Sequence, residues 1–253
     1  MSRPKVGVQL PCYFREVRPE GARESFLFLK RVGEGRGFQV EIPANQTCCG
    51  QPFINTGQPT TLPIQLDRLF SKYQFVVSLG SSCSSTIRNR NLPISEKNYE
   101  FVEFLVKVVG VRGLFSSPPA PVALHLSCHS IRHLQIGPTS EVPERRANLV
   151  EELLGFTPLL PERDECCGFG GVYSVVEGEL SYQIGRRKLQ DLLRGGPKFV
   201  IGVDLSCLLH LEGIYRRERE KGEFPGAEVE FLYIGEFLAR FAGEKVEKEG
   251  RDG

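Results

Sequence analysis

Residues 75–83 read F-V-V-S-L-G-S-S-C, and residues 199–207 read F-V-I-G-V-D-L-S-C. Each begins with a short apolar, β-branched-rich run and ends at a cysteine. A run of this length without polar alternation predicts a strand buried on both faces, as in a parallel sheet. The same design recurs further out. K-V-G-V-Q-L-P-C at 5–12 pairs with P-V-A-L-H-L-S-C at 121–128. Four buried strands are therefore expected, at Val6–Leu10, Phe75–Leu79, Val122–Leu126 and Phe199–Val203.

Helical periodicity separates these runs, at Glu24–Val32, Leu66–Lys72, Phe101–Val109, Arg145–Leu154, Leu180–Leu193, Leu208–Arg217 and Ile234–Phe241. Strands alternating with helices predict an α/β fold with mainly parallel sheets flanked by helices. The repeat distance of about 120 residues is that of a duplicated domain, not a solenoid. The proline-rich F-S-S-P-P-A-P at 115–121 punctuates the chain between the copies. The expected division is a first domain at 1–117, a second at 118–243, and a disordered charged tail at 244–253.

The eight cysteines share this duplication. Each half reads C…CC…C: Cys12, Cys48, Cys49 and Cys83, then Cys128, Cys166, Cys167 and Cys207. The intervals are 35 and 33 residues in the first half and 37 and 39 in the second. In an open α/β sheet, ligands gather beyond the carboxyl ends of strands. Cysteines 12, 83, 128 and 207 follow predicted strands and belong at that rim. The loops T-C-C-G-Q-P at 47–52 and E-C-C-G-F-G-G at 165–171 would bring the vicinal pairs to it, with Gly50 and Gly168 permitting a tight reversal.

Bulk properties narrow the chemistry. The 253 residues carry a formal charge of +1, with 40% hydrophobic and 25% charged residues. This is ordinary globular composition, without the basic excess of a nucleic-acid binder. No apolar run approaches the roughly 18–20 residues of a membrane span. The stretch M-S-R-P-K-V-G-V-Q-L-P-C has too short an apolar run to read as a signal peptide, so the expected location is cytoplasmic. In a reducing compartment, recurring cysteines favour metal binding or redox chemistry over a disulfide scaffold.

Zinc suits four thiolates, but structural zinc sites favour C-x₂₋₄-C knuckles whose sulfurs turn toward one ion. Adjacent side chains diverge, whereas adjacent thiolates can ligate different irons of one cluster. The arrangement favours an iron–sulfur cluster, with zinc, thiol–disulfide exchange and inert packing as the alternatives.

T-C-C-G-Q-P with G-S-S-C, and H-L-S-C-H with E-C-C-G-F-G-G and D-L-S-C-L-L, resemble the cysteine-rich CCG domain found in heterodisulfide reductase. The same domain occurs in components of glycerol-3-phosphate and glycolate oxidases. The two-domain form without other modules is similar to the lactate utilization protein A family, over residues 5–240. That resemblance implies an iron–sulfur electron-transfer subunit of a complex oxidising L-lactate to pyruvate, not an enzyme acting alone. It implies partners in that complex, including a ferredoxin-like iron–sulfur protein, and one or two clusters, as [4Fe-4S]. Cys12, Cys48, Cys49 and Cys83 would hold one, and Cys128, Cys166, Cys167 and Cys207 another.

The chain also departs from the broader pattern, in which many CCG domains end in C-x-x-C. Thr86 and His210 stand where that last cysteine would be, so neither half has five thiolates. Four suffice for a [4Fe-4S] cluster, but a heterodisulfide-reductase-like role is correspondingly weakened. His125 matches the H-x-x-C element of related domains; a hydrogen bond to cluster sulfur and an ordinary core histidine weigh equally for it. His129 and His133 share a helix face and read as surface or interface residues. Asp204 reads as a site residue or as the cap of the next helix. The competing class is a zinc-stabilised or thiol-switch scaffold without a cluster.

Overall fold

The computed structural model describes residues 3–141 and 148–242. Its first half builds a four-stranded sheet in the order β2-β1-β3-β4. These strands are β1 (Lys5–Gln9), β2 (Gln39–Glu41), β3 (Phe75–Ser78) and β4 (Asn98–Glu100), all parallel. The second half builds a three-stranded parallel sheet, β5-β6-β7, from Val122–His125, Phe199–Gly202 and Glu230–Tyr233. An isolated parallel bridge from Ala123 to Leu159 stands where a fourth strand would match β2. The α/β class and the four strands expected from sequence are present, each ending one residue earlier than expected, and β1 also starting one residue earlier. β2, β4 and β7 carry no such signal in the sequence; they are short edge strands, and only β7 has several large apolar side chains.

The central strands are buried as a parallel sheet requires: Val6, Val8, Val76, Val77, Val122, Ala123, Leu124, Val200 and Ile201 are closed to solvent. Helices cover both faces. The first half contributes α1 (Cys12–Glu16), α2 (Pro19–Gly35), α3 (Gln51–Asn55), α4 (Leu62–Phe70), α5 (Ser81–Arg88), α6 (Pro93–Glu96) and α7 (Phe101–Glu103). Proline opens α2 and α6 at the first position, where its missing N–H has no helical partner to lose. The Glu100 carboxylate caps α7, accepting the N–H groups of Val102 at 2.7 Å and Glu103 at 3.2 Å. The helix then widens into a π-helical stretch, Phe104–Val109, and ends on Gly110 in the left-handed region.

The second half adds a π-helical turn at His129–His133, then α8 (Leu149–Leu154), α9 (Tyr173–Val176), α10 (Gly178–Leu192), α11 (Leu205–Glu220) and α12 (Ile234–Phe241). The predicted helix Arg145–Leu154 is described from Leu149 onward, capped by the Asn148 side chain. The charged tail 244–253 lies outside the described residues.

The halves interlock at their ends. α12, which closes the second half, packs on α2 of the first, while α7 packs on α8. One apolar core therefore runs through both sheets. At its centre Tyr233 is fully buried, with its ring 5.0 Å from Phe14 and 5.8 Å from Phe101. Edge and tilted contacts of this kind add to the burial of large rings. This shared core holds the carboxyl ends of β1, β3, β5 and β6 around one seam.

Candidate functional site

The vicinal cysteines occupy matching turns. Gly50 and Gly168 have φ of +88° and +89°, a left-handed conformation that costs a non-glycine residue energy. Each turn aims its backbone at sulfur. The Gly50 N–H donates to Cys48 Sγ at 3.4 Å, and the Gly168 N–H donates to Cys166 Sγ at 3.4 Å. At Gly168 a Cβ would lie 2.5 Å from the Ser181 carbonyl oxygen and 3.1 Å from the Gly185 nitrogen, because α10 presses against the loop.

The remaining cysteines come from the strand ends. Cys12 opens α1 and Cys83 lies in the first turn of α5; Cys128 precedes the His129–His133 turn and Cys207 lies in the first turn of α11. All eight are free thiols. They also line one cavity, about 880 Å³ including its open mouth, together with Tyr13, Gln51, Asn55, His129, Phe169 and Asp204. The seam between the halves runs through it. Tyr13 and Phe169 meet edge to face at 5.9 Å, and Gln51 Nε2 lies 3.1 Å from His129 Nε2. No lysine or arginine lines this cavity among the described residues.

The thiols of each quartet sit close enough to share protons. Cys48 accepts hydrogen bonds from Cys12 and Cys49, and with the Gly50 N–H and the nearby Arg15 this holds its thiol down at about 2. Cys166 stands alike at about 2, accepting from Cys128 and Cys167, with the Gly168 N–H adding to the effect. The donors shift the other way: Cys12, Cys49, Cys128 and Cys167 are pushed up by their bonds to that thiolate and by burial. One thiolate ringed by protonated thiols is therefore built into each half.

Such a donor set fits an iron–sulfur cluster on its chemistry. Clusters are held by cysteine thiolates and tuned by hydrogen bonds to sulfur and by burial. Each half has four thiols, an N–H aimed at sulfur, and a wall that is mostly buried. Metal binding would release the protons that the clustered thiols share, since cysteine ligates as thiolate.

The other expected residues fall into place around this centre. Asp204 both caps and bridges. Its carboxylate accepts the Ser206 N–H at 3.2 Å at the start of α11, and the Ser82 N–H at 2.6 Å from the opposite half. His129 and His133 stack edge to face at 5.2 Å, and His133 Nδ1 lies 2.7 Å from Ser85 Oγ, so both bridge the halves. Thr86 bonds back to the Ser82 carbonyl within its own helix. His210 lies beside Ser181 and 5.8 Å from Phe169, outside the cavity lining. His125 is 1% exposed, and neither ring nitrogen has a hydrogen-bond partner among the described residues. An unpaired buried polar group costs about 1–3 kcal/mol. Sequence reasoning missed Tyr13, Gln51, Asn55 and Phe169, although Tyr13 and Phe169 stand one and two residues beyond a cysteine.

A family model described as a cysteine-rich domain, CCG, matches residues 6–88 and 122–212. Lactate utilization protein A of Oceanobacillus iheyensis is 29% identical over 251 residues, spanning 92% of this chain and 96% of its own. Lactate utilization protein A 1 of Bacillus mycoides is 30% identical over 83% of this chain and 89% of its own. Lactate utilization protein A of Bacillus cereus is 31% identical over 82% and 88%. Glutamate racemase of Thermus thermophilus, in complex with β-chloro-D-alanine, overlays with a TM-score of 0.31 at 15% identity, covering 98% of this chain and 82% of that one. That likeness is too slight to argue from.

Proposed function

The chain belongs to the lactate utilization protein A family, with the CCG cysteine-rich domain in two copies, and on that premise we propose that it is the iron–sulfur electron-transfer subunit of an L-lactate-oxidising system. Cys12, Cys48, Cys49 and Cys83 hold one cluster, in the domain at 1–117. Cys128, Cys166, Cys167 and Cys207 hold the second, in the domain at 118–243. The observation that carries this reading is the convergence of all eight thiols on one cavity at the seam.

When bound, the clusters supply one-electron acceptance and release. The protein's own groups do the rest. The Gly50 and Gly168 N–H groups are oriented to stabilise charge on Cys48 and Cys166 sulfur. Burial of Cys49, Cys83, Cys167 and Cys207 keeps water from the inner face. Tyr13, Phe169 and His129 close the seam and would hold the two cysteine sets in a fixed relation.

Chemistry at the lactate carbon belongs to a partner in this reading. A carboxylate substrate would meet Asp204 in the cavity and no basic side chain other than His129. Partners are the other subunits of the complex, a ferredoxin-like iron–sulfur protein among them, in the cytoplasm. No helix among the described residues is long and apolar enough to cross a membrane.

The test is anaerobic purification, followed by a visible spectrum and iron, sulfide and zinc analysis on one sample. About four to eight irons per chain with matching sulfide, and broad absorption near ~400 nm, are expected. Cys167→Ser should remove one cluster and its electron transfer while the other remains. A colourless protein carrying stoichiometric zinc would overturn the reading in favour of a scaffold.

A further inference from the structure

All four histidines lie in the second half, at 125, 129, 133 and 210. His129 lies 3.8 Å from the half-buried Cys128 Sγ, whereas His125 sits behind the cavity lining against two buried sulfurs. One of its ring nitrogens, Cys167 Sγ and Cys207 Sγ provide three donor atoms that lie within 4.8 Å of one another, and all three residues are buried. In a tetrahedral site with bonds of about 2.0–2.3 Å, neighbouring donors stand about 3.3–3.8 Å apart. The triad is thus compact enough for all three residues to face one metal centre.

The local fold explains why His125 is there. It is the last residue of β5, paired with Gly202 of β6, so it faces the rim where α11 delivers Cys207. A Cβ at Gly202 would lie 3.3 Å from the His125 carbonyl oxygen, which shows how tightly the two strands bring this end together. Neither ring nitrogen is hydrogen-bonded by any described residue, although the ring is 1% exposed. Buried polar groups without partners are rare enough to require an explanation. A metal atom of the centre that Cys167 and Cys207 would hold provides one.

The equivalent position in the first half is Gln9, the last residue of β1, also 1% exposed and with its Oε1 unpartnered. A carboxamide is a poor ligand for iron in a thiolate environment. The duplication thus keeps a buried polar residue at this strand end but changes its chemistry.

We propose that His125 gives the second centre a nitrogen ligand, its imidazole reaching a metal atom of the centre beside Cys167 and Cys207 and adding to the four thiolates, so that the two centres differ in ligand set. This rests on the iron–sulfur reading above. Neutral imidazole adds a ligand without adding negative charge to the four thiolates, and net charge and ligand set are among the factors that fix a cluster's potential. The two centres then differ in potential as well as in ligands.

The test uses the full chain grown with ¹⁵N-imidazole histidine, reconstituted anaerobically with iron and sulfide, reduced, and measured by pulsed EPR. A resolved ¹⁵N coupling with a large isotropic part is expected. It should persist in His129→Gln and His210→Gln and vanish in His125→Gln, which installs the residue of the first half. Should His125→Gln fail to load its cluster, His125→Cys decides in its place. That variant should load, lose the ¹⁵N coupling, and show one of its two centres shifted to lower potential. Cluster EPR without a histidine coupling in the wild-type chain would overturn the nitrogen ligand and leave the iron–sulfur reading intact. A chain that takes up neither iron nor sulfide would overturn both.

Discussion

Ser82 donates its backbone N–H to the Asp204 carboxylate at 2.6 Å, across the seam between the two halves. The next residue back repeats the link, since the Ser81 N–H and hydroxyl both reach the Val203 carbonyl, at 3.2 and 3.1 Å. The amino end of α5, which carries Cys83, is thereby tied to the loop that carries Asp204 into α11 and Cys207. Position matters here because the equivalent residue of the first half is Gly80, which has no side chain to return the contact.

Asp204→Ala should therefore destabilise the chain by about 1–3 kcal/mol, the sum of a lost helix cap and an unpaired, half-buried N–H at Ser82. Asp204→Asn keeps an acceptor oxygen and should lose clearly less. Urea unfolding with an unchanged m-value is the measurement. A loss under about 0.5 kcal/mol in the alanine variant would remove Asp204 from its bridging role.

The glycines of the cysteine loops make a graded series. Gly168→Ala places a Cβ 2.5 Å from the Ser181 backbone oxygen at φ +89°, and a loss of about 3 kcal/mol or more follows. Gly50→Ala meets only the side chains of Thr60 and Pro63, the nearest at 3.1 Å, and should cost less. Gly57→Ala, at φ +70° with nothing within 4 Å, should cost about 1–2 kcal/mol for the left-handed backbone alone. Thermal unfolding gives the order. Equal losses at all three positions would mean that α10 yields to the loop.

Much of this was legible in the chain. The four strands preceding cysteines 12, 83, 128 and 207 announced themselves by unbroken apolar runs, and duplication fixed which belonged together. Gly50 and Gly168 were legible because only glycine accepts that turn cheaply. What the sequence hid was the relation between the halves. Nothing in its periodicity says that α12 crosses to α2, or that both cysteine sets open on one cavity, because such contacts depend on how two sheets pack. β4 was hidden for a different reason: N-Y-E at 98–100 has no strand pattern, and only its pairing with β3 makes it one. For His125, burial and spacing to sulfur were needed to separate two readings of one H-x-x-C motif.

Glu100 gives the fold a pH dependence. Its side chain is fully enclosed, and burial pushes its carboxyl up to about 8, against the pull of the Val102 and Glu103 N–H groups. The unfolded chain holds it near 4.3. Because the folded value is raised, its stabilising contribution is complete below about pH 4 and is lost as pH rises through about 8. Glu100→Gln keeps an acceptor for the α7 cap and removes the titration. Relative to wild type, that variant should gain about 1 kcal/mol of stability per pH unit between pH ~5 and ~8. Unfolding curves at pH 5.5 and 8 suffice to measure it. A difference that stays constant with pH would show that Glu100 does not change its proton in this range.

The shared protons within each cysteine quartet predict which sulfurs react when no metal is bound. An ordinary thiol, with pKa about 8.5, loses reactivity tenfold for each pH unit below that value because only its thiolate attacks. Cys48 and Cys166 are held at about 2 by the thiols that donate to them, so each remains thiolate throughout the range in which the protein can be handled. The metal-free chain, treated with iodoacetamide from pH 5 to pH 8, should be alkylated at Cys166 at a rate nearly independent of pH. Cys166 should lead because it is exposed, with Cys48 following because it is half-buried. Cys12 and Cys128, whose protons are engaged, should lag at every pH. Peptide mapping by mass spectrometry reads all of these rates in one experiment. A tenfold rise per pH unit at Cys166 would mean that the neighbouring thiols do not hold its charge, and the glycine N–H alone would then be left to stabilise it. Loading the chain with iron and sulfide should suppress alkylation at both positions together, because the sulfurs that react first are those that a cluster would occupy.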